Sequence, residues 1–211
     1  MKKSRVVSLK NIEIATFLKR NIIVVILCLM FIIGVVVGTI CYVKSPTAAN
    51  LAQQWFTEYI SFRVTDSFLN IFINSALFFM VISLCVFAGG TSMIGVVLIP
   101  LISGYLGFRY GCIASYVYSV YELKGIAFNS VILIPPTAIF LVGLFFASRY
   151  SVEFSLIITR LTIPKTSARN LSVDFKTYCT KFAVLLVIII FVSLIDALFC
   201  RWFIDFFDFI H

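Results

Sequence analysis

The residue best placed to do chemistry is Asp196, which stands in FVSLIDALFCRW inside an otherwise apolar run. An unpaired carboxylate at the centre of a membrane helix costs ~2.5–3.5 kcal/mol on insertion scales, so Asp196 requires a partner or an aqueous exit. One reading is an ion or proton site. The other is a carboxylate near the outer interface, paired with Arg109 or Arg201. The pairing is expected, because a single acid lies within the apolar runs and proton relays use several groups. Asn70 and Asn74 share a helical face and can bond across to a neighbouring helix.

Other catalytic constellations find no material here. The six cysteines, at 28, 41, 85, 112, 179 and 200, contain no CxxC pair, and several lie in apolar runs where they act as small hydrophobes. The only histidine is His211, which argues against a histidine-centred catalytic group or metal cluster. No Walker loop, HExxH or GxSxG motif occurs, so neither an enzymatic activity nor a cofactor is expected. The 23 phenylalanines point to lipid contact and packing, not to nucleic-acid bases.

The elements that must position Asp196 follow from composition. Of 211 residues, 62% are hydrophobic and only 12% are charged, and the mean hydropathy is +1.10. That composition is an integral membrane protein's. Covering the hydrocarbon core takes ~20 apolar residues, and five stretches suffice, near 22–43, 68–88, 93–111, 127–147 and 182–199. The expected fold is all-α, a polytopic membrane bundle of five transmembrane helices with interfacial amphipathic helices. Residues 1–21 form a basic leader, 22–200 the membrane domain and 201–211 an aromatic tail.

The net charge of +8 marks topology. Lys2, Lys3, Arg5, Lys10, Lys19 and Arg20 precede the first span, and Arg149, Arg160, Lys165, Arg169, Lys176 and Lys181 lie between the fourth and fifth. The other loops carry one or two basic residues each. The N-terminus is therefore expected in the cytoplasm and the C-terminus outside the cell membrane.

The connections have structure of their own. SPTAANLAQQWFTEYISFRV opens with Ser45 as N-cap and Pro46 at the first helical position, then repeats Leu51, Trp55, Tyr59 and Phe62. Such an amphipathic helix lies on the outer surface or packs on the protein's own spans. Residues 112–121, with Tyr116, Tyr118 and Tyr121, are expected as an interfacial turn of helix or a shallow re-entrant segment. The fourth span is expected to continue past Ala147 along Tyr150, Phe154, Ile157, Ile158 and Leu161, and Pro164–Lys176 reads as a soluble linker.

Helix contacts in lipid rely on small residues four apart, as at Gly34 and Gly38, and at Gly107 and Gly111. These serve contacts within the chain or to a partner, a second copy included. Pro135 and Pro136 interrupt the fourth span and deprive the carbonyls of Val131 and Ile132 of their helical donors. A wide kink is expected there, with Asn129 or Thr137 meeting the freed carbonyls.

The order of these features resembles the stage II sporulation protein M family over residues 20–200. The resemblance rests on GVVVGT, AQQWFTEYI, GYLGFRYG, ILIPPTAIFLVGLFFAS and an acid in the last span. Matching positions are Gly34, Gly38, Gly107, Gly111, Pro135 and Asp196, while Leu106 and Pro136 stand where members often carry polar residues. The resemblance implies a non-catalytic membrane scaffold that holds extracytoplasmic peptidoglycan hydrolases at an engulfing septum. It also implies an alternative, an accessory to a membrane transporter in bacteriocin-type peptide export or immunity. For the scaffold, the candidate docking residues are Trp55, Tyr59, Tyr116, Tyr118 and Trp202.

Overall fold

The computed structural model describes residues 21–64, 67–161 and 171–203, and all regular structure among them is helical. The helices are α1 (Ile22–Lys44), α2 (Pro46–Val64), α3 (Phe68–Gly90), α4 (Gly95–Phe128), a π-helical segment (Asn129–Leu133), α5 (Ile134–Leu161) and α6 (Leu171–Phe203). Four stretches are long and apolar enough to cross a membrane: Ile22–Lys44, Phe68–Gly90, Gly95–Thr159 and Phe175–Phe203. The third is a hairpin. At Glu122 the backbone leaves helical geometry, with φ of 47°, and Gly125 returns against the carbonyl of Val117. Counting both arms, the bundle has five passes.

Backbone approach organises the passes. A Cβ on Gly34 would strike the Gly104 carbonyl oxygen and one on Gly38 that of Phe108, while Cβ atoms on Gly107 and Gly111 would strike those of Phe31 and Val35. The Ser103 hydroxyl donates to the Leu27 carbonyl at 2.8 Å, and the Cys112 thiol donates to that of Gly38 at 3.3 Å. Leu27, Phe31 and Val35 thus meet Ser103, Gly107 and Gly111 in step, so α1 and α4 run parallel. In lipid this contact gains little from hydrophobicity and depends on close packing.

The same reasoning orients the rest. Phe79 meets Phe140 and Gly90 meets Ser151, so α3 and α5 are parallel. Gly143 faces Leu185 and Ile188 while Phe154 meets Tyr178, which makes α5 and α6 antiparallel. At the end of the bundle where α3 meets α4, Tyr178 is stacked between Phe87 and Phe154, with centroids 5.0 and 4.9 Å away. Its hydroxyl donates to the Phe87 carbonyl at 2.7 Å.

Most outward-facing side chains of the spans are apolar, including Ile33, Val37, Leu77, Val81, Val187 and Ile190. This is the surface a bilayer solvates.

Several expectations change. The Pro164–Lys176 linker falls partly outside the described residues, and from Leu171 onward it is helix. Residues 112–121 are not a separate turn; they continue α4, with Cys112, Ile113, Ala114 and Val117 buried. Helix α2 packs on the bundle through Ala48, Ala52 and Phe56, leaving Leu51 and Phe62 exposed. Small residues admit the close approach that the larger ones would prevent. The segment beyond Tyr150 does continue as helix α5, and its buried Ser148, Ser151 and Ser155 face the core.

The double proline is accommodated by a change of helix type. The Ile134 amide donates to the Asn129 carbonyl, one residue beyond α-helical spacing. The α-helix then restarts at Ile134, which places Pro135 and Pro136 in its first turn. There proline's fixed backbone angle is compatible with the helix, although the carbonyls just before it still lack the donors the two prolines cannot supply. The Asn129 side chain does not serve the freed carbonyls: its oxygen accepts from the Tyr110 hydroxyl at 3.1 Å and its amide donates to that of Tyr118.

Gly107→Ala forces a Cβ into the backbone of Phe31, a contact that no side-chain rotation relieves. It is expected to destabilise the protein by about 1–3 kcal/mol. Gly104→Ala, whose Cβ would lie 3.6 Å from the nearest atom, the Met30 oxygen, should leave stability unchanged or slightly higher. Thermal unfolding in detergent separates the two.

Candidate functional site: a polar cavity at the α2 end of the bundle

Asp196 is buried and paired. Its carboxylate accepts from the Arg63 guanidinium and from the Ser75 hydroxyl. The Arg63 and Asp196 side chains are only 9% and 2% exposed. Arg63 lies at the end of α2, Ser75 on α3 and Asp196 on α6, so the ion pair ties the capping helix to two spans. The expected partners, Arg109 and Arg201, are not those found: Arg109 stands over aromatic rings, and Arg201 is exposed at the end of α6.

Tyr59 builds the other side of Arg63. One turn earlier on α2, its ring lies 3.5 Å from the guanidinium carbon, and its carbonyl accepts from Arg63 at 3.1 Å. A second Arg63 nitrogen reaches Ser75 Oγ at 3.1 Å. Burial works to lower the pKa of Arg63, but Tyr59 and Asp196 outweigh it and the net shift is upward. The guanidinium therefore stays charged.

These groups line a cavity of about 360 Å³. Its floor is buried Asp196, Ser75, Phe79, Leu133 and Pro136, and its rim carries exposed Glu58, Phe62 and Phe78. Arg109 enters from α4, with its guanidinium carbon 4.7 Å from the Phe78 centroid and 5.7 Å from that of Trp55. Asn74, which the sequence offered as helix glue, and Thr137 also face this space. The π-helical segment thus brings a proline and its neighbours to the wall of a polar site.

The remaining residues singled out from the sequence are dispersed. Gly34, Gly38, Gly107 and Gly111 form the α1–α4 contact. Tyr116 packs against Phe56 and Tyr121, Tyr118 is held by Asn129, and Trp202 is 64% exposed. Arg63 was missed because it belongs to no span. The one available signal was its position a helical turn beyond Tyr59.

A five-pass bundle with a glycine-packed first and third pass, an interrupted fourth and an acid in the last carries the features seen in the sequence. A family model described as stage II sporulation protein M matches residues 23–199. The chain belongs to that family. Comparison with curated proteins finds no match, and comparison with solved structures finds none either. In this member of the stage II sporulation protein M family, the matched region contains every helix from α2 to α5 and the whole cavity.

Breaking a buried pair from one side leaves the other charge uncompensated, at a cost of about 3–5 kcal/mol, whereas replacing both partners by apolar residues costs far less. Asp196→Asn and Arg63→Met are each expected to lower stability strongly, and the double variant Arg63→Met/Asp196→Leu to recover most of the loss. A double-mutant cycle on denaturant unfolding checks this.

Proposed function

We propose that the protein is a non-catalytic membrane scaffold that holds peptidoglycan-degrading enzymes of a cell-wall remodelling complex. Membership of the stage II sporulation protein M family supports the setting. The charge distribution supports an orientation with the N-terminus in the cytoplasm and the α2 end outside, where the wall lies.

The observation that carries the reading is a tightly packed cap at that end. Phe56 of α2 packs against Tyr116, Tyr121 and Phe128 of the α4 hairpin, and Phe203 of α6 joins the same cluster. The cap presents apolar side chains that this cluster does not absorb. Val120 and Leu123 flank the hairpin tip, Leu123 at 80% exposure, and Trp202 projects from the end of α6. A preorganised platform binds with less ordering cost than a loose loop. Tyr59 and Tyr116 serve the interior of this cap, so docking falls to the tip and Trp202.

A second reading, an accessory to a peptide exporter or immunity system, draws on the polar cavity between the passes. Asp196 cannot distinguish the readings on its own, since its loss also unpairs Arg63.

Full-length tagged protein is expected to co-purify an extracytoplasmic wall hydrolase, and Leu123→Ser with Trp202→Ser to cut recovery about tenfold, a loss of about 1.4 kcal/mol. Val187→Ala, on the lipid face, should leave recovery unchanged. Retention by the double variant, or capture of a transporter ATPase in place of a hydrolase, would overturn the scaffold.

A further inference from the structure

Two guanidinium groups face the cavity, and each keeps a buried Nε–H without an acceptor, in Arg63 and in Arg109. Buried donors of this kind are rare and call for a partner. Arg63 spends its other nitrogens on Tyr59, Ser75 and Asp196. Arg109 makes no hydrogen bond or ion pair with another described residue; its contacts are the faces of Phe78 and Trp55. Stacking on rings uses the faces of a guanidinium and leaves its edge for hydrogen bonds. Glu58 exerts an electrostatic pull on Arg109 from the exposed rim.

The two arginines are matched by two acids, Asp196 inside and Glu58 on the exposed rim. Asp196 is bound to Arg63, whereas Glu58 forms no ion pair with Arg109, so the edge of Arg109 suits a single entering negative charge. A volume of about 360 Å³ falls within the ~300–1,000 Å³ of small-ligand sites. It holds a headgroup and not a whole lipid. At the rim, Phe62 and Phe78 are exposed apolar side chains in a chain whose exposed surface faces acyl chains. The opening therefore suits a molecule with an anionic head and an apolar remainder.

Depth fits as well. Asp196 lies about 8 Å along α6 from Arg201, and Ser75 about 10 Å along α3 from Phe68, at 1.5 Å per residue. A phosphate near the helix ends needs to descend only that far to meet two arginines. Basic pockets between membrane helices hold anionic headgroups by this physics.

We infer that the cavity is a binding site for an anionic phospholipid headgroup, with its phosphate diester held by the free edges of Arg109 and Arg63 and its acyl chains leaving across Phe62 and Phe78. Arg109, facing only the solvent-exposed Glu58 and not held in an ion pair, supplies the attracting charge. Arg63, already neutralised by Asp196, supplies direction.

The test uses the full-length protein in neutral detergent, stripped of lipid and titrated by native mass spectrometry with phosphatidylglycerol, phosphatidylcholine or soluble glycerophosphoglycerol. One phosphatidylglycerol should bind saturably, and both phosphatidylcholine binding and phosphatidylglycerol binding to Arg109→Gln should be about tenfold weaker or more, as the loss of a charge-assisted hydrogen bond predicts. Arg109→Lys should restore part of the affinity. Equal phosphatidylglycerol affinity in wild type and Arg109→Gln would overturn the site, and soluble glycerophosphoglycerol binding as tightly as the lipid would overturn its lipid source.

A second measurement needs no variant at Arg109. With Trp202→Phe, the only remaining tryptophan is Trp55, and phosphatidylglycerol brominated on its acyl chains should quench it more than brominated phosphatidylcholine does. Equal quenching by the two lipids would also overturn the proposal.

Discussion

The closest constraint on this fold is that helices surrounded by lipid gain nothing from hiding apolar surface from one another. What remains is contact, and contact between α1 and α4 is made by bare backbone. Four glycines receive four carbonyl oxygens across that seam, and the parallel register they set decides where α4 stands relative to everything packed on it. Helix α2 rests on α4, the hairpin to α5 begins from α4, and Arg109 enters the cavity from α4. A side chain at one of those glycines would therefore displace the cap and the cavity together.

The buried ion pair works on a different scale. Where the glycine contacts are spread along a seam, Arg63 concentrates the polar link between the cap and the spans on Asp196 and Ser75, with Ser75 also donating to the carboxylate. Such a pair gives little net stability compared with apolar residues of the same shape, yet it strongly penalises any arrangement in which the partners are apart. In this protein it selects the position of α2, whose own sequence would equally permit it to float on the membrane surface.

The all-α membrane bundle was legible because apolar runs of the required length are a strong signal, and the family resemblance was legible in the order of short motifs along them. Other features were not. The buried face of α2 is Ala48, Ala52 and Phe56, and alanine carries little weight in a hydropathy pattern even where closeness makes it decisive. Tyrosines at 116, 118 and 121 signal an interface, but here ring packing and Asn129 engage them on a continuous helix. The partner of Asp196 lay outside every span, in a helix whose folding back onto the bundle no local pattern discloses. The answer to Pro135 and Pro136 was a shift of hydrogen-bond register ahead of them, which leaves no mark on residue type.

The parallel seam between α1 and α4 also sets an order of assembly. The chain emerges from its N-terminal side, so α1 enters the bilayer before its principal partner has been synthesised, with α2 and all of α3 still to come between them. Until then its two glycines face lipid. Before α4 arrives, α1 must be apolar enough to reside in the membrane without it, and its most apolar stretch is more apolar than that of any other candidate span among the described residues, which is what such a wait demands.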